Sequence, residues 1–361
     1  MLFGLLNTIL RYFGYGKTNK GTSSYQFSVV GKMEILLLSE QEVAKLLHMD
    51  EVLEVVELAF RESALGHVQM PPKTYLKYLQ YGGDLRTMPA YLERLDVSAV
   101  KIVSVHPNNM REHGLPTVMG TIILIEPKTG KTLAIMGGRN ITAMRTGASG
   151  GIAAKYLAKN NSKVAAFVGA GVQARAQLLA LLLVFPSLNE VRVWDVRLDA
   201  AETFASEIKV SNPQVETLVA VDVELAIAES DIIVTTTPST KPVVKNEWVS
   251  LGTHLNCIGA DAPGKEEIDP AVLRRVKIVV DNWEQASHSG EINLPVSNGM
   301  LDKSSLWGEL GEIVAGIKPG RMSTQEITLF DSTGLAIQDA LTAELVYRKA
   351  IDQNKGHYIT I

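Results

Sequence analysis

Seven residues, VGAGVQA at Val168–Ala174, constrain this chain most, because of what lies on either side of them. The short apolar run Val164–Val168 leads into them and reads as a strand. Gln173–Val184 follows and has the length and apolar content of a helix. Two glycines between a strand and a helix make the turn that opens a strand–helix–strand unit. Gly169 permits the tight turn, Gly171 lets a pyrophosphate approach the backbone, and Ala174 lets helix and strand pack closely. Val172 and Gln173 lie at the helix N-terminus, whose N–H groups face the anion. The next strand, Val191–Trp194, runs into Asp195, within reach of an adenine ribose. A carboxylate there accepts hydrogen bonds from both ribose hydroxyls and repels a 2′-phosphate, so NAD is expected over NADP. Arg197 is the counter-indication, since an arginine at this place can accommodate the phosphate.

The rhythm continues beyond the motif. Leu198–Ile208 reads as a second helix, and Asp231–Thr235, His254–Ile258 and Val276–Val280 as further strands. Alternating strands and helices over such a span argue a parallel, doubly wound sheet. The texture differs before it. From Lys73 to Met136, β-branched and aromatic runs are divided by Gly82-Gly83, Pro107-Asn108-Asn109 and Thr129-Gly130, the pattern of an antiparallel sheet. Met33–Leu38 reads as a strand. Ser39 and Glu42 form a capping box, and a helix is expected from about Asp50 to Leu65. Arg145–Leu157 opens a small-residue helix with Arg145 at its start. Gln338–Ile351 has a helical apolar stripe, which must cover a surface in the first part of the chain.

Composition removes several classes. At 361 residues the chain is long enough for two domains. Its 35 basic and 39 acidic residues leave no basic excess for nucleic acid. Cys257 is the only cysteine, which excludes an intrachain disulfide and fits a reducing, cytoplasmic setting. The seven histidines include no pair at metal-ligand spacing, so no metal is expected. No apolar run is long enough for a membrane span. In MLFGLLNTILRYFGYGK, Leu2, Leu6, Ile9 and Phe13 fall at helical spacing, but Arg11 and Lys17 follow the apolar run instead of preceding it. With the polar stretch Gly16–Ser24, residues 1–32 read as a loosely packed extension.

Five charged residues stand out. In Val97–Val105, Lys101 shares a strand face with Val97, Ala99, Val103 and Val105, so alternation points it inward. Desolvation lowers a lysine pKa and makes the group a usable acid or base; an edge lysine reaching out of a sheet has the same pattern. Asp261 follows the strand His254–Ile258 in a Gly/Pro-punctuated loop. Such loops line the ligand crevice of a doubly wound sheet, although an aspartate also caps turns. Lys73 and Arg86 bring positive charge from the antiparallel region. Arg145 is placed to clamp a carboxylate or a cofactor phosphate, and a solvated surface charge is the alternative for all three.

The chain resembles the ornithine cyclodeaminase/mu-crystallin family. The resemblance is carried by PPK (Pro71–Lys73), LRTMPA (Leu85–Ala90), VKIVSVHPNN (Val100–Asn109), GLPTVMG (Gly114–Gly120), TAMRTGASGGIAAKYLA (Thr142–Ala158), GAGVQA, IGADAPGKEEID (Ile258–Asp269) and DSTGLAIQDA (Asp331–Ala340). It implies an α/β fold: a Rossmann-type, doubly wound parallel sheet at 148–331, and an α+β substrate and dimerisation domain built from both chain ends, 33–147 and 332–361. A homodimer, a small amino-acid substrate, catalytic Lys101 and Asp261, and substrate-binding Lys73, Arg86 and Arg145 are implied as well. Thr237 and Ser332 join Arg145 and the Gly169–Ala174 turn as expected cofactor contacts. One departure is Gly137, where many members carry an aspartate after the residue matching Met136.

Within the family the motifs look most like those of archaeal-type alanine dehydrogenases, which implies oxidation of alanine, or a close small amino acid, to pyruvate and ammonia. Ornithine cyclodeaminase is the first alternative; a ketimine reductase or mu-crystallin-like binding protein is the second. Arg86 bears on the choice, because cyclodeaminases of the family carry an acidic residue there. An arginine would face the second ammonium of ornithine, and two like charges about 4 Å apart cost on the order of 4 kcal/mol at an effective dielectric of about 20. Asp195 disfavours the NADPH-linked alternative.

Overall fold

A strand with one face against a helix alternates buried and half-buried residues, and Val97–Val105 does so along nearly its whole length. It lies near the middle of the first of two large sheets. The computed structural model of the chain describes residues 34–361; the reading of 1–32 as an extension lies outside them. In chain order the first sheet receives β1 (Glu34–Leu38), β2 (Val68–Gln69), β3 (Thr74–Tyr78), β4 (Gly83–Leu92), β5 (Val97–Val105), β6 (Val118–Ile125) and β7 (Thr132–Gly137). The strands β3 to β7 are antiparallel neighbours, β2 extends the pairing along β4, and β1 adds to β7 in parallel. The last strand of the chain, His357–Thr360, pairs antiparallel with β1 at the sheet edge.

Helices cover one face of this sheet. The helix α1 (Glu40–Leu46) starts at the Ser39–Glu42 capping box expected from the sequence, and α2 (Met49–Ala64) follows. The helix Ala336–Asp352 returns from the far end of the chain and packs across β4 and β5 beside α2. Leu36, Phe60, Leu92, Ile122, Ile337 and Val346 belong to the shared apolar core.

The second sheet is all parallel. Its strands are β8 (Val164–Val168), β9 (Glu190–Trp194), β10 (Glu216–Val219), β11 (Ile232–Thr235), β12 (His254–Cys257), β13 (Lys277–Val280), β14 (Gly308–Glu309) and β15 (Thr328–Asp331). Their spatial order is β10-β9-β8-β11-β12-β15-β13-β14, doubly wound with its switch point between β8 and β11. Apolar cores fill both faces, as the continuous apolar strands require. Two short strands, Thr240–Val244 and Glu266–Ile268, pair apart from either sheet. Among the described residues no helix is long and apolar enough to cross a membrane.

The helix α3 (Arg139–Leu157) links the sheets. It begins six residues before Arg145, correcting the expectation that Arg145 opens it; Arg145 sits in its second turn. The expected domain boundary at 147/148 falls inside α3. Its small residues let it lie close on α4 (Val172–Val184): a Cβ on Gly147 would stand 2.4 Å from the Ala176 carbonyl oxygen, and one on Gly151 2.8 Å from the Ala180 Cβ.

Candidate active site

The C-terminal ends of β11, β12 and β15, with the first turn of α4, face the first sheet across a cavity of about 280 Å³. From the parallel sheet come Thr236, Thr237, Gly259, Asp261 and Ser332 to Gly334. Lys73, Arg86, Met88, Lys101, Val103 and Val118 come from the first sheet and its approach. Thr142, Arg145 and Thr146 project from α3, and Gln173 from α4. Eight of the expected site residues therefore line one space: Lys73, Arg86, Lys101, Arg145, Gln173, Thr237, Asp261 and Ser332. Gly169, Gly171, Val172, Ala174, Asp195 and Arg197 do not line it; they form the turn from β8 into α4 and the end of β9.

Lys101 is 2 % exposed, on the buried face with Val97, Ala99 and Val103. Its Nζ lies 2.6 Å from Asp339 Oδ2 and 3.5 Å from Thr142 Oγ1. Burial pulls its pKa down, Asp339 opposes and Arg145 adds to the fall; the result is about 7. Lys73 is pulled down to about 8, again first by burial. Its Nζ donates to the Thr333 carbonyl at 2.6 Å. The loop that presents this carbonyl is fixed by Asp281, which accepts from the backbone N–H groups of Thr333 at 2.6 Å and Gly334 at 2.7 Å.

Arg86 donates through Nε and Nη2 to both oxygens of Asp84, at 2.8 and 3.1 Å, while its Nη1 lies 3.5 Å from Asp261 Oδ2. Tyr75 lies under the guanidinium, 5.3 Å away at the ring centre. Asp261 also receives the ammonium of Lys265. Burial alone would raise the Asp261 pKa, but Lys265, Arg86 and Lys73 together hold it below the usual carboxylate value. The family resemblance makes both Lys101 and Asp261 catalytic. The structure puts each with a separate partner: Lys101 with Asp339, and Asp261 with Lys265 and Arg86.

Asp339, Asp281 and Lys265 escaped the sequence reading. Asp339 lies inside the quoted DSTGLAIQDA run, and a carboxylate on the buried stripe of a terminal helix was the available signal. Lys265 stands four residues after Asp261, the spacing of a local ion pair. Asp281 carried no local signal.

The strand–helix turn fits a dinucleotide. Gly169 has φ +103°, and a Cβ there would meet Thr236 Oγ1 at 2.8 Å. A Cβ on Gly171 would enter open space at the N-terminus of α4, the cradle a pyrophosphate needs. Ala174 is fully buried. Asp195 takes one backbone N–H on each oxygen, from Ala170 at 2.8 Å and Arg197 at 2.9 Å. Its remaining lone pairs are available to a diol. In the cavity, Gln173 Oε1 and Ser332 Oγ are buried without a protein partner. Polar atoms of that kind suit an amide-bearing ring. Among the described residues there is no group of three or more His, Cys, Asp or Glu side chains suited to a metal.

Fold and cavity together define a Rossmann-type α/β protein in which a dinucleotide crevice opens onto a cationic pocket carried by a second sheet. The chain belongs to the ornithine cyclodeaminase/mu-crystallin family, whose model matches residues 33–354. It is similar to the alanine dehydrogenase of Archaeoglobus fulgidus, 50 % identical over 329 residues that cover 91 % of this chain and 98 % of that one. Among solved structures, an archaeal alanine dehydrogenase dimer with bound NAD superposes with a TM-score of 0.87 at 50 % identity, covering 91 % of this chain and 99 % of that one. The Δ1-pyrroline-2-carboxylate reductase of Thermococcus litoralis, in complex with NADH and L-proline, gives 0.86 at 42 % identity over 90 % and 99 %.

Gly137, the departure from the family pattern, has a local explanation. A Cβ there would stand 2.7 Å from Glu40 Cδ. Glu40 accepts the N–H groups of Arg139 at 2.7 Å and Asn140 at 3.1 Å, so a carboxylate from α1 caps α3.

Proposed function

We propose that the chain catalyses the reversible, NAD-dependent oxidative deamination of L-alanine, or a close small amino acid, to the oxo acid and ammonia. It is an NAD-dependent amino-acid dehydrogenase. The observation that carries the choice of substrate is Arg86, set in the cavity wall 3.5 Å from Asp261. Arg86 and Lys73 attract a substrate carboxylate, whereas a second ammonium would meet Arg86. Met88, Val103 and Val118 supply an apolar wall, which suits a short aliphatic side chain.

NAD, when bound along the Gly169–Ala174 turn, supplies the hydride acceptor. The rest of the chemistry is proton handling by this chain. Lys101 Nζ, partly neutral near pH 7, takes a proton from the substrate ammonium. Asp261, held as a carboxylate, takes a proton from the water that adds to the imine. Lys73 and Arg86 hold the substrate carboxylate, and Arg145 donates to Asp339. In this reading 33–147 and 332–361 form the substrate domain, 148–331 binds the dinucleotide, and the active form is a homodimer.

A second reading, reduction of a cyclic imine such as Δ1-pyrroline-2-carboxylate, is favoured by the likeness to the Thermococcus litoralis enzyme. The test is NADH formation by purified protein with alanine, ornithine, serine and proline, with product analysis. Net NADH and pyruvate from alanine are expected. Faster NADH formation from proline would establish the second reading, and proline made from ornithine without net NADH would overturn both.

A further inference from the structure

Lys101 is not left to burial alone. Asp339 stands in the first turn of the helix Ala336–Asp352, where the helix dipole favours a carboxylate. It divides its two oxygens between two cations. Oδ2 lies 2.6 Å from Lys101 Nζ, and Oδ1 accepts from Arg145 Nε at 3.1 Å. All three side chains are buried. Arg145 also donates through Nη1 to Gln338 Oε1 at 3.1 Å. It is backed by Gly334, where φ is +76° and a Cβ would stand 2.3 Å from Nη1. Thr142 gives its hydroxyl proton to the Gly138 carbonyl, so toward Lys101 it offers only a lone pair. Lys73 is the other cation acting on Lys101, with Arg86 and Asp261 farther round the same cavity.

We propose that Asp339 is a positioning residue that sets the protonation of Lys101 during turnover, within a three-group array closed by Arg145. The array carries one net positive charge when Lys101 is protonated and none when it is neutral. Away from water the neutral sum is favoured, while Asp339 holds the ammonium form within reach. Lys101 therefore meets Asp339 when it is protonated, and Asp339 keeps Arg145 as its partner when Lys101 is neutral. The inference rests on the reading of Lys101 as a proton carrier.

The test follows the 13Cε signal of Lys101 through a pH titration of the full chain, assigned by its loss in Lys101→Met, alongside pH–rate profiles. Asp339→Asn removes the charge and keeps the shape. Lys101 then faces Arg145 without compensation, and its titration and the linked limb of the profile should move to lower pH by roughly one to three pH units. Arg145→Gln should move both to higher pH, because Asp339 then answers to Lys101 alone. Asp339→Glu should return both toward the parent. Opposite displacements by two neighbours of one lysine are not a signature of lost packing. The inference is overturned if Lys101 titrates unchanged in Asp339→Asn, or if both variants move it the same way. Should Asp339→Asn not fold, an unmoved or lowered titration in Arg145→Gln overturns it. If the titration moves while the rate limb stays, Lys101 is not the proton carrier and the role of Asp339 in turnover falls with it.

Discussion

Lys101 occupies a core position whose strand neighbours on the same face are Val97, Ala99 and Val103, so its charge has to be justified by what it does. Strand alternation alone made this lysine visible in the sequence. Asp339 left a signal on the buried stripe of its helix, but its partner did not, because Lys101 comes from the other part of the chain and only the fold brings the helix Ala336–Asp352 onto β5. Asp261 was legible from its place after a parallel strand, but its grip by Lys265 and Arg86 was not. The roles proposed for these groups have different kinetic consequences. Lys101→Met and Asp261→Asn should each lower turnover by roughly two to four decades, the usual loss for general acid–base groups, while NADH binding followed by fluorescence is retained. Near-normal turnover of Asp261→Asn from roughly pH 6 to 10 would remove Asp261 from the proton path. Arg86→Glu should instead raise the Michaelis constant for alanine. By turning repulsion into attraction it should also let ornithine bind; an unchanged alanine constant would sink the carboxylate-binding role.

Glycines separate two kinds of element in this fold. In α3 they are packing residues: a Cβ on Gly147 would stand 2.4 Å from the Ala176 carbonyl oxygen and 2.6 Å from its carbon, and backbone cannot swing aside. Gly147→Ala should therefore destabilise the fold by about 1–3 kcal/mol, the range for overpacking, read as a lowered unfolding midpoint. At the β8–α4 turn the role differs. Gly171 has φ −83° and open space where a Cβ would be. Gly171→Ala should leave the unfolding midpoint of the ligand-free protein near the parent value and weaken NADH binding. A fall in stability equal to that of Gly147→Ala would show that the turn is a packing feature. The sequence made α4 legible through its length and apolar content, most of α3 through its small residues, and the turn through its glycines. It did not reveal the shorter strands: Gly308–Glu309 and Glu266–Ile268 are too brief for alternation to register. Nor did it place the start of α3, which is capped by Glu40 from a different helix.

At the scale of the molecule, the helices among the described residues clothe one face of the first sheet. On the opposite face β5 and β6 present Val100, Ile102 and Ile123 only half-buried. At its margin Leu76, Leu79, Tyr81 and Met119 are exposed, Leu79 by 87 %. Exposed apolar residues gathered on one sheet are the material of an association site, and the same sheet carries Arg86, Lys101 and Val118 into the cavity. We propose that the homodimer covers this face with a second copy of the chain. Sedimentation at micromolar concentration should give a dimer. Replacing Leu76 and Leu79 together by glutamate sets like charges against one another across a two-fold interface, and should shift the protein to monomer. Because β3 pairs with β4 through Tyr75↔Arg86, loosening that edge should also raise the Michaelis constant for alanine while NADH binding at the β8–α4 turn persists. A parent protein that sediments as a monomer, or a double variant that remains a dimer with unchanged alanine kinetics, would place the interface elsewhere and separate the pocket from assembly.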